Sequence, residues 1–176
     1  MKALLAVVIV SIVVGITYVV LKIRENISQS HVRKAPDLFT LAPGKVTRDL
    51  KWELDAGKNP GSPINSIVSC LQAHGARVLR QEDEQVALSI GSRIAIKISG
   101  NWPQDPLKTP LRVLARTEKT TDNAGTIRVR LDEDFGGQLV LRLEKHEFEA
   151  AYNRAFDVIT QILEKELGSK STTGGG

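Results

Sequence analysis

The sequence predicts an N-terminal single transmembrane helix followed by an α+β domain. In that domain an antiparallel meander of six or seven strands packs on a long C-terminal helix. Three observations predict it. Residues 3–21 form an uncharged apolar run closed by Lys22 and Arg24. From Val86 onward, short segments alternate apolar with polar residues and are separated by turns rich in Gly, Asn and Asp. Phe148 to Leu163 carry one apolar stripe at helical spacing.

The apolar run comes first. Nineteen helical residues rise ~28 Å, close to the roughly 30 Å hydrocarbon core of a bilayer. The run is longer than the apolar core of a signal peptide and ends without an A-x-A-like site, so residues 1–23 read as an uncleaved anchor. Ser11 and Gly15 form a small-xxx-small pair, the spacing that lets two such helices approach. Basic residues favour the C-terminal side (Lys22, Arg24, Arg33, Lys34 against Lys2), which predicts a cytoplasmic domain. A single cysteine, Cys70, agrees with that side.

The chain has a formal charge of +4, and the whole excess lies in residues 1–35. Residues 36–176 hold equal numbers of acids and bases. The high pI therefore belongs to the N-terminal flank, and nucleic acid is not indicated, nor are aromatics interleaved with the basic strand residues. Residues 24–45 read as a basic tether, 46–168 as the globular domain and 169–176 as a disordered tail.

Within the domain, a strand is expected at Val46–Leu54. Ile64, Ile67, Val68 and Leu71 then recur at helical spacing between Ser62-Pro63 and Gly75. Six strands follow, at 76–80, 86–90, 94–98, 111–116, 127–131 and 139–143. Gly91-Ser92 is read as a hairpin turn between the second and third of these. Lys145–Leu167 closes the domain as a helix, with Phe148, Tyr152, Phe156, Ile159 and Leu163 on its apolar face.

This order of strand, helix, six strands and long helix resembles the helix-grip fold of the Bet v 1/START-like superfamily. The resemblance implies a curved sheet wrapped around the C-terminal helix and an apolar cavity between them. Ile94, Ile96, Val129, Leu141 and Tyr152 would line that cavity.

Alternation places Arg93, Lys97, Arg112, Arg116, Arg128, Arg130 and Arg142 on the outward sheet face, a candidate dock for anionic lipid or an acidic protein partner. Asp132-Glu133-Asp134 reads as a solvated turn. The proline-rich link 100–110 is a candidate contact loop through Trp102 and Leu107. His31, His74 and His146 are scattered, and no catalytic, metal-ligand or phosphate-loop spacing occurs, so no cofactor is expected. The expected function is a non-enzymatic accessory or scaffold domain, anchored by residues 3–21, that binds a protein partner or lipid headgroups. The alternatives are an apolar-ligand carrier or sensor, and an enzyme of unknown class.

Overall fold

The computed structural model describes residues 11–20, 22–23, 30, 32, 35, 37–54, 62–94, 96, 101–119, 125–134, 145–168 and 171–173. Six strands form one antiparallel sheet: β1 (Thr47–Leu54), β2 (Arg77–Gln81), β3 (Gln85–Ile90), β4 (Leu111–Lys119), β5 (Gly125–Glu133) and β6 (Thr172–Thr173). Helix α1 (Pro63–Ala73) joins β1 to β2, and α2 (Lys145–Leu167) follows β5. The order across the sheet is β2-β3-β4-β5-β1-β6. The meander β2 to β5 is thus extended by β1, which returns to pair antiparallel with β5 from Thr47↔Asp132 to Leu54↔Gly125.

One sheet face and the two helices form the main core. Leu50 and Trp52 of β1, Val86, Leu88 and Ile90 of β3, and Val129 and Leu131 of β5 meet Ile67 and Leu71 of α1 and Tyr152, Phe156 and Ile159 of α2. The period of two along each strand puts these residues on one side. Helix α1 starts at Ser62-Pro63 and ends at Gly75, whose φ of +86° turns the chain so that Ala76 N–H donates to Leu71 O. The register of β2 against β3 shifts between Val78 and Arg80. Across that shift, Val78 packs against the main core and Leu79 against the opposite face.

Two expectations are corrected. The first is the single-pass membrane anchor. Among the described residues no helix is long and apolar enough to cross a membrane. A membrane location with a cytoplasmic domain rested on that anchor and is withdrawn with it. The second is the six- or seven-stranded helix-grip meander. Among the described residues the sheet has five long strands and the two-residue β6. Of the expected strand 94–98, the described residues Ile94 and Ile96 are helical, as is Arg93. A short run such as Ile-Ala-Ile suits strand or helix equally by period, and here tertiary packing of Ile96 into the core decides. Gly91 does turn the chain after β3, at φ +72°, but the partner it leads to is β4. The expected strand 139–143 lies outside the described residues.

Candidate functional site

The outer sheet face is built by β1, β3, β4 and β5 through the residues that alternate with the core set. Register places Arg112 opposite Asp132, Leu114 opposite Arg130 and Arg116 opposite Arg128. On the other side of β5, Asp49 stands opposite Arg130 and Lys51 opposite Arg128. Like charges directly opposite each other repel, so these arginines need counter-groups.

The chain supplies them itself. Asp37–Leu41, which the sequence reads as part of a tether, lies across this face as a strap. Leu38 is fully buried and joins Val32, Ala87 and Leu114 in a second apolar cluster, with Phe39, Leu41 and Leu79 packed around it. The strap begins with Asp37 capping a short 3-10 turn, its carboxylate accepting from Phe39 N–H at 2.8 Å. Arginines from the sheet then hold the strap's backbone. Arg80 donates to Ala35 O, Arg130 to Phe39 O and Leu41 O at 3.3 Å, and Arg112 to Ala42 O at 3.4 Å. The Phe39 ring faces three guanidinium groups, those of Arg116, Arg130 and Arg128, at 4.8, 5.2 and 5.3 Å.

Carboxylates complete the network. Arg116 pairs with Asp37 at 3.1 Å and Glu118 at 2.6 Å, and Arg128 and Arg130 reach Asp49 at 3.4 and 3.5 Å. Arg112 pairs with Asp132 at 3.0 Å. Arg93 lies at the end of the sheet and pairs with Asp134. Of the expected basic face, then, Arg93, Arg112, Arg116, Arg128 and Arg130 each have an acid of the same chain beside them. Lys97 and Arg142 lie outside the described residues.

The expected solvated turn at Asp132-Glu133-Asp134 is instead largely buried. Asp132 and Glu133 belong to β5, and both are shielded from solvent. Asp132 also accepts from Thr47 Oγ1 at 2.6 Å. Gly44 presses on Glu133 so closely that a Cβ at that position would sit 2.7 Å from Glu133 Cγ. Beneath this end of the sheet, Tyr152 donates its hydroxyl to Pro110 O at 2.9 Å. Burial first, then the carboxylates of Glu133 and Asp134, push that hydroxyl far above the usual tyrosine value.

Where the strap meets the β2–β3 turn there is an open cavity of about 450 Å³. Asp37, Glu82, Asp83, Glu84, Gln85 and Arg116 line it. Gln85 ties the wall to the strap by accepting from Leu38 N–H at 3.3 Å. A hydrogen bond from the Gln85 amide, then the Arg80 guanidinium, hold the Glu82 carboxyl below its ordinary value. Arg116 is engaged by Asp37 and Glu118, so carboxylates dominate the rim.

The remaining expected residues fall elsewhere. Trp102 turns inward, edge-on to Phe148 and Tyr152 at 5.6 and 5.7 Å, and Leu107 also packs on the core. Ile96, Val129 and Tyr152 belong to that same packed core, Ile94 is half-buried, and Leu141 lies outside the described residues. Ser11 and Gly15 are exposed on the helical stretch 11–20.

The strap and the cavity were not expected from the sequence. Two signals were present: the apolar pair Leu38-Phe39 between Pro36 and Pro43, and the acidic run Glu82-Asp83-Glu84 at a strand turn. No protein-family model matches the chain, and no curated protein matches it.

Proposed function

We propose that this chain is a non-enzymatic accessory domain that binds a protein partner, and that the partner presents a basic side chain to the cavity beside Asp37. The cavity at the strap's start carries this reading. It is concave, polar and rimmed by Asp37, Glu82, Asp83 and Glu84, while Arg116 at its wall is already paired within the chain. Asp37 and Glu82 are themselves paired, with Arg116 and Arg80, so a lysine or arginine entering there meets the exposed Asp83 and Glu84 and shares the other two carboxylates without displacing the strap. The neutralised arginines favour a basic partner over the anionic one that the strand pattern suggests. Ile96, Val129 and Tyr152, three of the five residues that an apolar carrier would use, are buried in the main core, which favours a surface role over a carrier role.

The test is partner capture by the full-length chain, compared with an Asp83→Lys/Glu84→Lys variant. Both residues are exposed, so the substitutions leave the core untouched. A partner retained by the wild type and lost by the variant, with crosslinks to the β2–β3 turn, supports the reading. A partner held equally by both sinks it.

A further inference from the structure

The two sheet edges differ. Among the described residues β2 forms one edge, and the two-residue β6 beside β1 forms the other. Among the described residues only Leu50 and Lys51 of β1 have a strand partner on the outer side, the two-residue β6 at Thr173 and Thr172. The tail is held there by Ser171, whose N–H and hydroxyl both donate to Glu164, and by Thr172 Oγ1 donating to Lys51 O. Among the described residues that cover spans two of the eight positions of β1.

We infer that the outer edge of β1 pairs antiparallel with β1 of a second copy of this chain, in a register centred on Leu50. The charges along the strand select the occupant and the register. Lys51 faces Arg128 across the ladder and, among the described residues, has no ion pair. In a two-fold pair centred on Leu50, each Lys51 lies opposite Asp49 of the other copy. Thr47 then lies opposite Glu53, and Leu50 opposite itself. Arg48 lies opposite Trp52, so each of the seven positions from Thr47 to Glu53 has a residue across from it. Moving the centre to Lys51 sets lysine against lysine and Asp49 against Glu53. Moving it to Asp49 sets aspartate against aspartate. A shift by one residue would put apolar Leu50 and Trp52 on the polar face. Charges on an edge strand ordinarily guard against pairing; here they reject those registers and permit this one. The tail and the second copy compete for the same outward backbone groups of Lys51, so β6 is the monomer's cover and β1 of the other copy the dimer's.

The test uses the full chain in a sedimentation concentration series at low and high salt. The wild type is expected to form a dimer that salt weakens. Thr172→Pro removes a donor from β6 and should tighten the dimer. Lys51→Glu places like charges opposite each other twice and should weaken it at least about tenfold, or 1.4 kcal/mol. Register is read separately in a Cys70→Ser background by mixing Thr47→Cys with Glu53→Cys chains, both at exposed positions. Directly opposed residues lie within disulfide reach. The mixture should crosslink on mild oxidation, and each chain alone should not. Monomeric behaviour of both the wild type and Thr172→Pro would overturn the inference. So would a dimer in which the mixture does not crosslink, or in which Lys51→Glu changes nothing.

Discussion

Arg112 and Asp132 stand directly opposite each other on β4 and β5, their side chains 3.0 Å apart, with Asp132 fully withdrawn from solvent. This pair joins three parts of the molecule. Asp132 accepts from Thr47 at the start of β1, and Arg112 reaches the carbonyl of Ala42 at the end of the strap. A charge buried this deeply is tolerable only while its partner is present. Asp132→Ala should therefore cost about 3–5 kcal/mol in urea unfolding, the range for breaking a buried pair. Replacing both residues, as Arg112→Met/Asp132→Leu, should cost much less, because no charge is left unpaired. A single-variant cost below about 1 kcal/mol would place the pair among surface ion pairs and refute its burial.

The strap is predicted to be part of the folded unit. Leu38 is fully buried against Ala87 and Leu114, so Leu38→Ala should cost about 2–5 kcal/mol, the range for emptying a core site. Phe39→Leu keeps apolar volume but removes the ring from its three guanidinium groups, and should cost roughly 1–2 kcal/mol. Both losses should be accompanied by faster amide exchange at Leu38, whose N–H is donated to Gln85. Neutral effects in both variants would mean that the strap is not held on the sheet.

Gly91 and Gly168 make a controlled comparison. Both have a positive φ, +72° and +67°. A Cβ at Gly91 would lie 2.4 Å from Thr109 O, whereas at Gly168 it would meet nothing within 4 Å. Gly168→Ala should lose about 1–2 kcal/mol, the backbone cost alone. Gly91→Ala should lose more, because the returning link at Lys108 and Thr109 must move as well. Equal thermal shifts in the two variants would show that the link does not pass against Gly91.

Periodicity carried the elements that bury one face. The stripe from Phe148 to Leu163 predicted α2 at its observed limits, Lys145–Leu167, and alternation placed β3, β4 and β5 with the correct side inward. The outer face was legible only as a row of arginines. Their partners, Asp37, Asp49 and Asp132, lie far from them in the chain, and no local pattern links residues across that distance. Composition alone makes the Asp37–Leu41 segment look like tether, because Leu38 is buried by a surface that exists only once β3 and β4 have paired. The same holds for Asp132, whose acidic neighbours suggested solvent but whose strand position opposite Arg112 buries it.

Stability should fall in alkali through Tyr152. Its hydroxyl is buried, donates to Pro110 O at 2.9 Å and faces the carboxylates of Glu133 and Asp134. Burial and those charges raise its folded-state value well above the roughly 10 of a tyrosine in an unfolded chain. Below about pH 10 the phenol is protonated in both states, and its contribution is fully present. Above that, the unfolded chain releases the proton while the folded chain keeps it, so the unfolded state binds fewer protons and is favoured as pH rises. The loss from this group approaches about 1.4 kcal/mol per pH unit until the folded-state value is reached. Tyr152→Phe removes the titrating group and one of the two donors to Pro110 O. Because Pro110 O keeps the Asp134 N–H at 3.1 Å, the change should cost about 0.5–1.5 kcal/mol at neutral pH and then lose stability less steeply than the wild type above pH 10. The check is urea unfolding of both proteins across that range. Parallel pH profiles would show that the hydroxyl is open to solvent and that the packing of Trp102 and Phe148 around it does not seal this end of the sheet.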